Sequence, residues 1–292
     1  MTGFVELHDP RWPPRPILLG KRHPKGTFSD DTQMSLAVAE ALLEAGHGDL
    51  ETLMAAMARR FVAWSNASDN DRAPGGACLR GCEKLEEGAP WREAGDPHSK
   101  GCGSAMRVAP IGLFYAGDHA KLLEVARASS LPTHGHPAGI EAAAAAALLV
   151  ALALEEASPE AMYRAVMDEC APRSADLREC FAKIPGLLDA PIELALSEKG
   201  LGEGWVGEEA VASALWCFWR SPKDFAKAVL AGANTDGDSD SIACIAGGIS
   251  GAFHGVGAIP AQWQRELEDA ERIDGIAQRL FAASTARSAE PA

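Results

Sequence analysis

Two clusters of oxygen-bearing side chains stand out in the sequence, and each sits where a helix is about to begin. Ser29-Asp30-Asp31-Thr32 precedes a helix-forming stretch that opens at Met34. Asp236-Gly237-Asp238-Ser239-Asp240-Ser241 precedes a Gly-rich apolar stretch from Ile242 to Gly255. Asp and Ser are good N-caps, and their charge complements the positive end of a helix dipole. Capping satisfies one or two donors, however, and does not call for two or three carboxylates in a row. Like charges crowded in this way repel one another unless a cation offsets them. Hard divalent cations take carboxylate and hydroxyl oxygens, which both clusters offer. Capping and metal binding therefore both stand as readings of each cluster alone. An EF-hand would put Asp236, Asp238 and Asp240 at its first, third and fifth positions. Ser241 at the sixth and Gly247 at the twelfth, where Gly and Glu are needed, rule it out.

Two further stretches carry chemistry more weakly. Ser99-Lys100-Gly101-Cys102-Gly103-Ser104-Ala105-Met106-Arg107 is a small-residue turn running into a helical-looking segment. Such a turn can offer backbone N–H groups to a phosphate, and it can equally be an ordinary loop. Thr133-His134-Gly135-His136-Pro137 leads into an Ala-rich run, where a histidine is usually a cap or a surface group. Cys78, Cys82, His98 and Cys102 can be drawn as a zinc site, but they are divided between a short helix and the Gly-rich turn, which disfavours it. Trp64, Trp216 and Trp219 read as core, and Trp91 as a cover for the core edge in preference to a base-stacking ring.

The elements that must hold these groups are helical. Met34–Ala45, Leu50–Trp64, Leu122–Ser130, Glu141–Ala157, Pro159–Cys170, Glu208–Trp219 and Asp224–Ala231 carry helix formers with apolar residues at three- and four-residue spacing. Alternating β-branched stretches are almost absent, so the fold class expected is all-α. A short helix is expected near Cys78–Leu85, inside the long polar segment from Ser65 to Ser104. Pro185–Gly207 is poorly periodic. Gly247, Gly248, Gly251 and Gly255 are expected to thin one helix so that a neighbour approaches closely. No repeat or boundary divides residues 1–292, which reads as one compact domain.

Composition narrows the function. Lys plus Arg number 27 against 41 Asp plus Glu, a formal charge of −14, which opposes binding to a phosphate backbone. The N-terminus has no basic stretch followed by an apolar one, so no signal peptide is expected. Ala142–Leu154 is a 13-residue apolar run, short of a membrane span and better suited to a buried helix. Seven scattered cysteines fit a reducing cytoplasm better than a disulfide framework.

Taken together these stretches resemble the ADP-ribosylglycohydrolase family, which includes dinitrogenase reductase-activating glycohydrolases and eukaryotic ADP-ribosylhydrolases. Its pattern appears in order as Gly3 to Glu6, Ser29 to Thr32, Gly101 to Arg107, Thr133-His134 and Gly237 to Ser241, with Gly257-Ala258-Ile259-Pro260 and Trp263 closing the match. The resemblance implies a single orthogonal helical bundle with two Mg²⁺ ions (Mn²⁺ in some members) at the bottom of a cleft. By motif position the metal ligands would be Ser29, Asp30, Asp31, Asp238, Asp240 and Ser241. Glu6, Asp30, Asp31 and Asp238 would be the catalytic carboxylates, Glu6 being mobile beside the metals and the substrate ribose. Ser99, Gly101, Cys102, Gly103 and Ser104 would line the diphosphate, and His134 would lie near the nucleotide. The implied activity is metal-dependent hydrolysis of the glycosidic bond of an ADP-ribosyl group, on a modified protein or a small molecule. No membrane or nucleic-acid partner is implied.

An arginine N-linkage is favoured, because an acidic surface attracts the guanidinium cation. A serine linkage is the alternative, since Phe4-Val5-Glu6-Leu7-His8-Asp9 looks like the serine-acting relatives. An inactive metal- or ADP-ribose-binding relative is the third reading, and retention of every ligand position argues against it. Ser stands at 29 and 241 where Thr is commoner, and the family's usual helix ahead of the Glu is missing.

Overall fold

The computed structural model describes residue 23 and residues 26–288. Among these no β-strand forms, and the protein is all-α. The first half of the described chain holds α1 (Asp30–Ala45), α2 (Leu50–Ser65), α3 (Gly76–Glu86), α4 (Ala109–Phe114), α5 (His119–Ser130) and α6 (Pro137–Leu154). α7 (Pro159–Glu169), α8 (Ala175–Ala182), α9 (Ile184–Leu187), α10 (Ile192–Ala195) and α11 (Gly207–Arg220) follow. α12 (Phe225–Ala233), α13 (Ser239–His254), α14 (Ala261–Glu266) and α15 (Ala270–Ser288) complete the order.

α6 is the spine. It is apolar on every side, the pattern of a helix enclosed by others, and α4, α5, α11 and α13 all pack on it. Ala142 to Ala147 are almost wholly inaccessible, and their small side chains let those neighbours come close. α6 is long and apolar enough to cross a membrane, yet most of it is buried inside the protein, so it is a core helix. One continuous apolar cluster joins Met34 and Leu42 of α1, Met54 and Phe61 of α2, Trp216 and Phe218 of α11, and Ile242 and Ile249 of α13. Each such side chain removed from water contributes about 1.5–3 kcal/mol, far more than the helix propensity of any one residue. Packing therefore fixes where α1 and α13 lie relative to each other.

Several boundaries differ from those the periodicity predicts. α1 and α13 each begin three or more residues early, so Asp30, Asp31 and Asp240 lie in first helical turns instead of in the loops before them. Acidic groups there are favoured by the helix dipole. α6 starts at Pro137, capped by His136, and ends at Leu154. The short helix expected in the polar segment is α3. Trp91 packs at the core edge with its indole N–H donated to Glu51 Oε2 at 3.0 Å.

The glycines of α13 do not do what spacing suggests. A Cβ at Gly247 or Gly251 would meet its nearest neighbour at an ordinary 3.6–3.7 Å, and at Gly255 nothing lies within 4 Å. The close approach is made by Gly232 of α12, where a Cβ would stand 3.0 Å from the Ala243 backbone.

Candidate functional site

The N-termini of α1 and α13 converge. Carboxylate oxygens of Asp30, Asp31 and Asp240 lie within 4.8 Å of one another, and Asp30 and Asp31 are buried. Ser29 is the N-cap of α1 and Asp238 the N-cap of α13, but neither side chain makes a capping hydrogen bond. The Ser29 hydroxyl instead donates to Asp31 Oδ2 at 3.0 Å. Asp238 Oδ2 instead accepts from the Cys102 thiol at 2.7 Å. Asp31 Oδ1 is buried without a hydrogen-bond partner among the described residues. The Gly75 N–H donates to the Asp30 carboxylate, and the Asp30 N–H donates to Arg72 O at 3.2 Å. Ala73, between them, holds φ at 64°, a left-handed conformation that a non-glycine residue rarely adopts.

The electrostatics follow from this crowding. Burial raises Asp30 and Asp31 well above the usual carboxylate range, and the neighbouring Asp240 raises them further. Burial and Asp240 together push Asp238 up to about 7. Two ionised carboxylates within 4.8 Å of each other repel by about 3 kcal/mol or more at an effective dielectric near 20, whereas a capping bond returns about 1 kcal/mol. Capping alone does not account for such an arrangement. The donor set is one that suits a divalent cation: carboxylate oxygens, the Ser29 and Ser241 hydroxyls beside them, and Asp31 Oδ1, which has no partner among the described residues.

The Gly-rich stretch lies alongside. Residues 102–104 form a single 3₁₀ turn, and the next helix, α4, opens only at Ala109. The chain leading into the turn is pinned by two isolated β-bridges, Asp96 with His134 and Gly101 with Val206. The Cys102 N–H donates to Trp205 O at 3.3 Å, and the Lys100 ammonium is paired with Glu208 at 2.7 Å. Ser99, Gly101 and Cys102 remain partly exposed, while Gly103 and Ser104 are buried.

Ser104 and His134, placed by the sequence among the substrate-binding residues, both turn inward. The Ser104 hydroxyl donates to Gly139 O at 3.0 Å. His134 is buried beneath the turn, and Gly103 must lack a side chain because a Cβ there would stand 2.9 Å from the imidazole. Arg107, fully buried, donates from Nη2 to Ser129 O and to Thr133 Oγ1, and the Thr133 hydroxyl reaches Ser130 O. With that hydroxyl already donating, His134 Nδ1, 2.8 Å from Thr133 Oγ1, is the proton donor. Burial, aided by Arg107, lowers His134 to about 3, so the ring is neutral. These residues support the turn from below. Glu6 lies outside the described residues.

Sequence reasoning missed the segment from Gly202 to Gly207. Glu203 O accepts the Asp238 N–H at 2.8 Å, and Trp205 O accepts the Cys102 N–H, so this segment ties the second acidic cluster to the Gly-rich turn. The Glu209 carboxylate fixes it by accepting the N–H groups of Glu203 and Gly204. Gly204, at φ 84°, leaves no room for a Cβ, which would stand 2.7 Å from Ile242. Trp205 is 55% exposed at the rim. The paired glycines around Glu203 were the available signal.

The all-α scaffold thus gathers carboxylates from two helix starts beside a glycine-rich turn. The ADP-ribosylglycohydrolase family model matches residues 2–290, and the chain belongs to that family. It is 27% identical over 258 residues to the ADP-ribosylarginine hydrolase Tri1 of Pseudomonas putida, covering 88% of this chain and 66% of that protein. It is 29% identical to the human ADP-ribosylhydrolase ARH3, covering 87% of this chain and 78% of the relative. A solved structure described as an ADP-ribosylglycohydrolase-related protein complex superposes with a TM-score of 0.73 at 31% identity, over 89% of this chain and 83% of that one. The chain is thus an enzyme of the ADP-ribosyl hydrolase class.

Proposed function

We propose that this enzyme releases ADP-ribose from the side chain of a modified arginine, with two divalent cations, Mg²⁺ or Mn²⁺, as cofactors. The observation that carries the reading is the set of carboxylates within 4.8 Å of one another, with one oxygen of Asp31 orphaned among them. Ser29, Asp30, Asp31, Asp238, Asp240 and Ser241 would hold the cations. When bound, such ions supply positive charge that lowers the pKa of water and orients ribose hydroxyls.

The remaining steps fall to the chain's own groups. The braced turn at Gly101–Cys102 backs the diphosphate, and a carboxylate accepts the proton of the attacking water as its oxygen adds to the anomeric carbon. The resemblance assigns that carboxylate to Glu6. The bond from the anomeric carbon to the guanidine nitrogen breaks as that nitrogen takes up a proton, and neutral water becomes the ribose hydroxyl. The formal charge of −14 favours a cationic guanidinium target. The name of the Pseudomonas relative supports the same linkage. Seven cysteines, all free, support a reducing cytoplasm as the place of action.

The test is ADP-ribose release from arginine-linked and serine-linked protein, side by side, with Mg²⁺ and with a chelator. Release from the arginine linkage that the chelator abolishes is the expected result. Turnover of the serine linkage alone would overturn the linkage, and turnover unaffected by chelation would overturn the metal requirement. Failure on both substrates in Mg²⁺ would overturn a protein side chain of either kind as the target.

A further inference from the structure

One thiol touches the acidic cluster. Cys102 Sγ lies 2.7 Å from Asp238 Oδ2 and 3.5 Å from Ser241 Oγ. The first separation is one that an O–H donor would adopt, although sulfur is the larger atom. Cys102 is held there by its own backbone, through the N–H bond to Trp205 O and the bridge from Gly101 to Val206. Asp31 Oδ1, buried and without a partner, belongs to the same group of facing side chains. The space between α1 and α13 is therefore bordered by carboxylates, the Ser29 and Ser241 hydroxyls and the Cys102 thiol, with the Met106 thioether 3.9 Å from Ser241 Oγ.

Magnesium takes oxygen donors and passes over thiols, whereas zinc and cobalt accept sulfur readily. The geometry points to a mixed oxygen–sulfur subsite on the Asp238 side of the cluster, where Cys102, Asp238 and Ser241 hold a thiophilic divalent cation such as Zn²⁺ or Co²⁺. The inference rests on reading the cluster as a cation site and adds that its Asp238 side also accepts a thiophilic ion in place of magnesium. As the ion binds, the Cys102 S–H bond breaks and a sulfur–metal bond forms. The proton passes to Asp238 Oδ2, 2.7 Å away, and from there to solvent. Zinc then competes with magnesium for the oxygens the two ions share. Cys244 provides an internal contrast. It lies one turn along α13 from Ser241, yet its thiol donates to the Met106 carbonyl at 3.5 Å.

The experiment titrates the metal-free full chain with Co²⁺, following near-ultraviolet thiolate-to-cobalt charge-transfer absorption, and separately with Mn²⁺, following its paramagnetic resonance. The native protein and Cys244→Ser are expected to develop the cobalt–sulfur absorption. Cys102→Ser is expected to lose it while still taking up Mn²⁺, and its Zn²⁺ affinity falls by about 10–100-fold or more, since even groups outside the ligand set carry that much. Cys102→Ala replaces the serine variant if the latter fails to fold, with Mn²⁺ uptake reporting an intact cluster. An absorption that survives in Cys102→Ser, or is absent from native protein that still binds Mn²⁺, overturns the mixed subsite alone. Native protein that binds neither ion overturns the cation reading of the cluster as well.

Discussion

Where a helix of this molecule has Ser or Asp as its N-cap, the start is of one of two kinds. At α2, α5, α7, α8 and α12 the residue before the first turn is Asp49, Asp118, Ser158, Ser174 or Asp224, and each side chain accepts the amide of the third residue of its helix. At α1 and α13 the residues are Ser29 and Asp238, of the same chemical types, and neither accepts an amide. They turn instead toward Asp31 and toward Cys102. The first kind is complete in itself, each donor matched by an acceptor. The second gathers carboxylates close together and, among the described residues, leaves Asp31 Oδ1 buried and unmatched. Identical residue types thus cap a helix in one place and build a site in another, and the direction of the side chain separates the two.

The largest effect that would break this comparison is on catalysis. Asp31→Asn keeps the volume and removes one buried charge. It is expected to lower kcat/KM by about a thousandfold or more, roughly 4 kcal/mol at 1.36 kcal/mol per decade. Its melting temperature in chelator is expected to rise, because the substitution relieves like-charge crowding. A fall in melting temperature matching the loss of activity would mean that Asp31 is structural.

Acidity gives the next contrast. Asp30, Asp31 and Asp238 all titrate above an unfolded value of about 3.9, so the fold favours their protonated forms. Their contribution to stability is full below about 4 and is lost as pH rises through the folded values, about 7 for Asp238. Metal-free protein should therefore melt lower at pH 8 than at pH 5, and the slope should be shallower in Asp31→Asn. Equal slopes for the two proteins in thermal melts across that range would contradict this electrostatic account. Added Mg²⁺ should flatten the native slope, since bound cations favour the ionised carboxylates.

A true cap gives a smaller number. Asp224→Ala removes the acceptor of the Lys227 amide, and a lost cap costs about 1 kcal/mol, or about 2 °C for a chain of this size. Activity at 25 °C should be unchanged. A loss of activity in this variant would show that caps and site residues are not separable here.

How much of this was legible in the sequence follows from range. The helices were, because three- and four-residue spacing is a local property, and so were the residue types of both acidic clusters. α8, α9, α10, α14 and α15 were not read; the first four are short, and in α15 Ile273, Ile276 and Leu280 keep helical spacing but sit among charged residues with Gly275 in their midst. The contact of Cys102 with Asp238 joins positions 136 residues apart, which no local pattern reports. The bracing by Glu203 and Trp205 carbonyls was invisible for another reason, because backbone oxygens leave no mark on residue type. His134 shows the same limit: the motif gave the residue, and only packing showed that its ring faces inward.

The finest test of the comparison lies at Ala73, where the site side of α1 bears backbone strain. A left-handed alanine is disfavoured by about 1–2 kcal/mol, which glycine would relieve. Glycine also enlarges the unfolded ensemble, at a cost of about 0.5–1 kcal/mol. The two terms nearly cancel, so Ala73→Gly should raise stability by about 0.5 kcal/mol, roughly a degree in melting temperature. Activity should move the other way. Gly75 donates its N–H to the Asp30 carboxylate, and a looser Arg72–Gly75 turn holds that donor less firmly. A fall in kcat of about twofold corresponds to only about 0.4 kcal/mol of lost positioning. Thermal melts and steady-state kinetics on the single variant measure both. A variant that is more stable and fully active would mean that the strain at Ala73 is incidental to the site, and the contrast between capping and site-building helix starts would then rest on the carboxylates alone.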